Sequence, residues 1–296
     1  MNSVSNLKLL FVINPISGTK RKIKWEPAIR NHFANLPHNI EIFLLDGKDD
    51  ATSLKYWIEK LQPDKVIAVG GDGTVSLVAE QILNTNIAMG ILPAGSANGM
   101  AKELDIPVEV DAALDIIVNG EIKSCDAIRI NDKEVSLHLS DLGVNAQLVK
   151  YFEEGNLRGK VGYALKVFKV LWRKRTMDVT IKTDKEEIKR RAFMVVIANA
   201  SKYGTGALIN PEGILHDGLF EIVIVRRIHL ISVLKMFLKF RRYNPKKVEI
   251  FQAESAIIST IKPAHFQVDG EYLGKKNNIK AEILKSQLNL ILPHKV

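Results

Sequence analysis

The sequence holds one cysteine, Cys125, in 296 residues. An internal disulfide is therefore excluded, and a reducing compartment suits the chain. No apolar run is long enough to span a bilayer. The opening stretch, Met1 to Pro15, has neither a basic n-region nor a cleavage site, so no secretory leader is expected and a cytoplasmic protein is. Internal repeats and low-complexity tracts are absent. No RNP, zinc-finger or helix-turn-helix signature accompanies the basic charge, which argues against nucleic acid as a partner. Hydrophobic content of 46% and charged content of 25% place the chain among ordinary globular proteins.

Acidic residues are in the minority, and the net charge is +9. The excess is not evenly spread. It gathers in "LRGKVGYALKVFKVLWRKRT", Leu157 to Thr176, and in "VRRIHLISVLKMFLKFRRYNPKK", Val225 to Lys247. The first carries Lys166, Lys169, Arg173, Lys174 and Arg175, the second Lys235, Lys239, Arg241 and Arg242. Both mix cations with Leu, Phe, Tyr or Trp at helical spacing. That pattern suits a peripheral membrane contact, and it also suits an ordinary helix with a solvated basic face.

The first 120 residues alternate between short apolar runs and amphipathic stretches. "KLLFVINP", "NIEIFLL", "KVIAVGG" and "IAMGILPAG" read as strands, with helical periodicity between and after them. Such alternation implies a parallel sheet covered by helices. Beyond Gly120 the pattern becomes strict alternation in segments such as "EIKSCDAIRIN", "KEVSLHLSDLG", "GLFEIVIVR" and "IKAEILKSQLNLILP", which implies an antiparallel sheet or sandwich. Two domains are expected: an α/β domain over 1–124 and an antiparallel sheet or sandwich over 125–296.

Three strand ends in the first domain carry polar, glycine-bearing loops. They are "INPISGTK" with Asn14, Pro15, Ile16, Ser17 and Gly18, "GGDGT" with Gly70, Gly71, Asp72, Gly73 and Thr74, and "LPAGSANGMAKEL" with Ser96 and Asn98. A strand, a glycine loop and a helix N-terminus present backbone N–H groups to an anion, and ligands of open α/β sheets bind at strand carboxyl ends. None of the three is a Walker A loop, a G-x-G-x-x-G fingerprint or a G-x-S-x-G elbow. Each alone also reads as a tight turn; three in one sheet point to a phosphate site. An aspartate inside such a loop makes sense where a metal ion or a proton transfer is close. In the second domain Asp217 lies in "HDG" before a strand, and "VDGE" sets Asp269 and Glu271 around Gly270. Asp-Gly is by itself a turn signal.

Taken together, "NPISG", "GGDGT", "LPAGSANGMAKEL", "NASKYGTGALINPEGILHDGLFEIVIV" and "VDGE" resemble, in that order and over essentially the whole chain, the diacylglycerol kinase/sphingosine kinase family, in particular its soluble bacterial lipid kinases. The resemblance implies an α/β domain akin to those of phosphofructokinases and NAD kinases, a β-sandwich, and an ATP cleft between them. It also implies Mg²⁺ and a lipid alcohol as acceptor, met at the membrane surface. Carried over by position, it places nucleotide contacts on Asn14 to Gly18, Gly70 to Thr74, Ser96 and Asn98. A structural Mg²⁺ falls on Asp217 with the carbonyls of Ile214 and Leu219. The catalytic residues become Glu271, as acceptor of the hydroxyl proton, and Asp72, organising metal and water. Two positions depart: Gly99 stands where diacylglycerol kinases have aspartate, and Asn145 where the family generally has an acid. They pull in opposite directions, so the acceptor lipid stays open, as does the oligomeric state, a homodimer included. An NAD kinase and a non-catalytic lipid or nucleotide sensor are the rival readings.

Overall fold

A computed structural model describes residues 6–18, 24–153, 176–202, 208–211, 213–226 and 247–294. The chain divides into two units, Met1–Cys125 with Ser286–Val296, and Asp126–Lys285. The first break falls beside the expected boundary. The assignment of 125–296 to one domain is corrected: the last eleven residues return to the first unit.

The first unit runs β1 (Lys8–Ile13), α1 (Trp25–Phe33), β2 (Asn39–Leu44), α2 (Asp50–Leu61), β3 (Lys65–Gly70), α3 (Asp72–Ile82), β4 (Ala88–Pro93), α4 (Gly99–Glu103) and α5 (Val110–Asn119). Its strands pair in parallel in the order β2-β1-β3-β4. β3 and β4 are buried along their whole length, as strands covered on both faces must be. β2, with one neighbour, is half exposed. The far edge of β4 is closed in parallel by the end of the last strand, through Asn289↔Ala88 and Leu290↔Met89. Asn84 N–H to the Gln287 carbonyl (2.8 Å) and Ser124 Oγ to Asn289 Oδ1 (2.9 Å) hold this return. Lys65, buried, directs its ammonium at the carbonyls of Ile117 (2.7 Å) and Val118 (3.4 Å), the last turn of α5. A cation there meets the negative end of the helix.

The second unit is built from antiparallel pairs. Its elements are β5 (Glu121–Ile130, begun in the first unit), β6 (Glu134–Ser136), β7 (Leu139–Gly143), α6 (Val144–Glu153), β8 (Met177–Thr183), β9 (Glu187–Ala192), β10 (Met194–Ala198), β11 (Phe220–Val225), β12 (Val248–Ala253), β13 (Ser255–Val268) and the start of β14 (Glu271–Leu292). β13 pairs β8 with its first half and β7 with its last, changing partner across a register shift between Ser259 and Ala264. The two groups of strands share one apolar core, in which Ile181, Ile188 and Ile258 pack with Phe220, Ile222 and Phe266. This is sandwich-like packing, as the alternation implied.

"KEVSLHLSDLG" was expected as one strand and is two, β6 and β7. The break is caused by a carboxylate. Asp269 accepts from the N–H groups of Leu137 (2.7 Å), His138 (3.1 Å) and Leu139 (2.9 Å) and from Ser136 Oγ (2.8 Å). A segment whose amides converge on one side chain cannot keep them in a ladder. α6 was not anticipated at all.

Candidate functional site: three strand-end loops, an Asp-Gly turn and a hairpin

In the first unit the loops after β1, β3 and β4 meet. Asn14 N–H binds the Val69 carbonyl (3.0 Å), and Asn14 Nδ2 reaches Thr74 Oγ1 (3.3 Å). Asn14 Oδ1 accepts the Ile16 N–H (3.1 Å), which folds Pro15 and Ile16 outward, Ile16 to 87% exposure. Ser17 N–H closes back on the Asn14 carbonyl (3.2 Å), and Gly18 lies against the Ala94 carbonyl. Gly70 packs beneath the buried Thr74 side chain. The β3 and β4 loops touch at Gly71 and Gly95: a Cβ built on Gly95 would stand 2.4 Å from the Gly71 Cα. Only bare backbone fits there. Ala94 and Gly95 both donate to the Gly70 carbonyl (2.9 and 3.1 Å).

Asn98 takes a left-handed conformation (φ 51°) and clamps its own loop, accepting from Gly95 N–H (2.8 Å) and donating to the Gly95 carbonyl (3.0 Å). Asp72 opens α3 and accepts the Met100 N–H (3.1 Å), capping the second residue of α4. Gly73 and Ser96 are exposed at the surface of the loops. The loop residues expected from sequence to contact a nucleotide therefore gather in one place. The side chains of Asn14, Thr74, Asp72 and Asn98 brace the loops, while glycine backbone, the Ser96 side chain and the N-terminus of α3 form the polar surface.

In the second unit Asp217 is exposed in a turn before β11, its Oδ1 accepting Leu219 N–H (3.0 Å). Buried Asp126 fixes this turn from beneath, by its carboxylate to Gly218 N–H (2.7 Å) and its N–H to the Leu215 carbonyl (2.7 Å). Among the described residues no three His, Cys, Asp or Glu cluster as a metal site. A cation at this turn would be held by one carboxylate, carbonyls such as those of Ile214 and Leu219, and water. That is hard oxygen ligation of the kind Mg²⁺ takes, so the donor set fits it. Nearby Glu221 is buried; burial pushes its carboxyl up, against donors from Gln252 (3.1 Å) and Asn210 (2.6 Å). The Oδ1 atoms of Asn199 and Asn210 are buried and meet no hydrogen-bond donor among the described residues.

Glu271 is exposed at the first position of β14, paired with Val268 across a two-residue turn. Both turn residues have positive φ, Asp269 46° and Gly270 93°, the hairpin geometry for which Asp-Gly is suited. Burial pushes the Asp269 carboxyl up, opposed by His138 and the donors that surround it. Behind the turn, Gln267 and Asp141 form a buried pair with Nε2 to Oδ2 at 2.6 Å. Sequence reading missed Asp126, Asp141, Glu221 and Gln267; "DLG" and "FQV" look like strand text, and only the fold brings these side chains together. The basic residues Lys166, Lys169, Arg173, Lys174, Arg175, Lys235, Lys239, Arg241 and Arg242 lie outside the described residues. Among the described residues no helix is long and apolar enough to cross a membrane.

The diacylglycerol kinase catalytic domain model matches residues 8–130, and the YegS C-terminal NAD kinase beta sandwich-like domain model matches residues 140–292. A diacylglycerol kinase of Staphylococcus saprophyticus is 25% identical over 274 residues, 89% of this chain and 88% of the relative. A probable YegS-like lipid kinase of Klebsiella pneumoniae is 30% identical over 243 residues, 79% and 80% of the two chains. Among solved structures, a putative diacylglycerol kinase from Bacillus anthracis superposes with a TM-score of 0.78 at 23% identity, covering 96% of both chains. An NAD kinase from Archaeoglobus fulgidus, solved in complex with ATP, gives 0.54 at 14% identity, over 97% of this chain and 94% of that one. At these identities the two structures speak to fold alone.

Proposed function

The chain belongs to the diacylglycerol kinase and YegS-like lipid kinase family, and we propose that it transfers the γ-phosphoryl group of ATP, with Mg²⁺, to a hydroxyl of a lipid such as a diacylglycerol or a sphingoid base. The observation that carries the ATP assignment is the contact of Gly71 with Gly95, which brings two strand-end loops together with no side chain between them. Backbone N–H groups of such loops, with the dipole of α3, favour a phosphate chain. ATP use also accords with the kinase family, and one relative in fold was solved with ATP bound.

In this reading the acceptor oxygen attacks the γ-phosphorus. Its proton passes to the Glu271 carboxylate, the bond to the β–γ bridging oxygen breaks, and ADP leaves. Glycine backbone and Ser96 orient the phosphates, while Asp72 and Asp217 supply carboxylate oxygens for cations. Bound Mg²⁺ supplies charge neutralisation on the phosphoryl oxygens. Little covalent work falls to the protein beyond positioning and the base. The acceptor's chains keep it in a bilayer, so the enzyme meets it at a membrane surface, and the basic clusters near Arg173 and Arg241 are the segments suited to that contact.

Radiolabelled ATP tests this reading with diacylglycerol, monoacylglycerol, sphingosine, ceramide and NAD as acceptors, products separated by thin-layer chromatography. A labelled lipid is expected. Label in NAD alone would make the protein an NAD kinase, and no transfer to any acceptor would make it a sensor.

A further inference from the structure

Asp141 and Gln267 are register partners in the antiparallel β7–β13 pair, and both are buried, at 0% and 2% exposure. Their side chains share a face and join at 2.6 Å, Gln267 Nε2 to Asp141 Oδ2. The same oxygen accepts Asn145 Nδ2 (2.6 Å), and Asp141 Oδ1 accepts the Ala146 N–H (2.8 Å) in the first turn of α6. From its other end Gln267 Oε1 accepts the Gly270 N–H (2.6 Å), and its Nε2 also reaches the Leu139 carbonyl (3.2 Å). An unbroken chain of hydrogen bonds thus runs from the start of α6 through Asp141 and Gln267 to the residue just before Glu271. Asp269, on the other side of the turn centre, is held independently by four donors from residues 136–139. A two-residue hairpin needs no such anchoring to form, because Asp-Gly in this geometry is favourable by itself. Burying a carboxylate and an amide is costly unless their groups are satisfied, and it is repaid here as fixed geometry at one surface carboxylate.

We propose that Asp141 and Gln267 are positioning residues, which lock the Asp269–Gly270 turn to the start of α6 and so set where the Glu271 carboxylate stands. The inference rests on Glu271 being the base. Asn145, tied to the same Asp141 oxygen, links any displacement of the first turn of α6 to the same turn.

A double-mutant cycle tests it, using the acceptor of the lipid panel that turns over fastest. Gln267→Met removes the amide hydrogen bonds at nearly constant volume. A displacement of about 1 Å at a reacting group costs up to roughly a hundredfold, so kcat should fall about ten- to a hundredfold with KM for ATP unchanged. In the Glu271→Gln background the same substitution should cost almost nothing, because there is no base left to misplace. Asp141→Asn, which keeps the shape but sets an amide against donors, carries the same expectation and serves where Gln267→Met does not fold. An equal fractional loss in both backgrounds, or no loss in the first, overturns the positioning role. Full activity in Glu271→Gln alone, or no lipid product from the wild type, overturns the base assignment instead.

Discussion

The Asp72 carboxylate lies 3.1 Å from the Met100 amide nitrogen, so the aspartate of the glycine loop caps a helix outside that loop. Two substitutions separate this duty from chemistry. Asp72→Ala removes the cap and should lower the unfolding free energy by about 1 kcal/mol. Asp72→Asn keeps an acceptor oxygen and should hold stability closer to wild type, yet it should cut turnover severely and alter its Mg²⁺ dependence. Denaturant unfolding and steady-state kinetics read the two effects. An Asp72→Asn protein with full turnover would reduce the residue to a cap.

The Gly71–Gly95 contact predicts a steep local intolerance. A Cβ at 95 would meet Gly71 Cα at 2.4 Å and Asn98 Oδ1 at 2.8 Å, whereas one at 73 meets nothing within 4 Å. Gly95→Ala and Gly71→Val should therefore weaken ATP binding in folded protein, measured by calorimetry, and Gly73→Ala should leave stability unchanged. Unaltered ATP affinity in the first two would leave the loops as turns.

Magnesium should be visible without catalysis. If the Asp217 turn takes the ion, millimolar Mg²⁺ should raise the wild-type melting temperature, since a ligand of the native state stabilises it. Asp217→Ala should lose that response, and added Mg²⁺ should not restore it. A wild-type melt indifferent to both Mg²⁺ and EDTA would count against the assignment.

His38 gives the first unit a pH-dependent weakness. Its Nδ1 accepts the Leu7 N–H (3.3 Å), its Nε2 is buried without a partner among the described residues, and burial followed by the charge of Lys65 lowers its pKa from the ordinary 6.5. A group held neutral in the fold contributes stability that is full above its unfolded pKa and is lost as pH falls below about 6.5 toward the lowered value. Melting temperatures should drop between pH 7.5 and 5, and His38→Leu should flatten that slope. Parallel slopes in the two proteins would assign the effect to other groups.

Membrane contact should be electrostatic. Flotation with anionic vesicles is expected, weakening as salt rises, and none with zwitterionic ones. Replacing Arg173, Lys174 and Arg175 with Glu should raise the apparent KM for vesicular lipid and spare a short-chain soluble acceptor. Equal losses on both would mean that the cluster serves folding or catalysis.

The parallel unit was legible because its strands are continuous apolar runs ending in loops with unusual composition, "VIAVGGDGT" above all. That the loops after β1, β3 and β4 would be polar and rich in glycine was legible for the same reason. What escaped was long-range pairing. Gln267 and Asp141 look unremarkable in "FQV" and "SDL", and their bond exists only once β7 and β13 pair in one register. Asp269 read as a turn residue and is one, but nothing local announces that four donors from residues 136–139 will converge on it. "QLNLILP" alternates like its neighbours, which hid the parallel pairing of Asn289 and Leu290 with β4. Periodicity reports which face is buried and is silent on what buries it.

That last pairing has a consequence for the order in which the protein is made. The first unit takes its closing strand from Ser286–Val296, so residues 126–285 must be synthesised before β4 gains its second neighbour. At roughly 5–20 residues per second, the nascent α/β unit spends on the order of ten seconds or more with an apolar strand edge uncovered. Such an edge is a template for pairing with another chain. Ribosome-associated chaperones would find their target at β4, and a chain cut short before Asn289 would leave that edge uncovered for good.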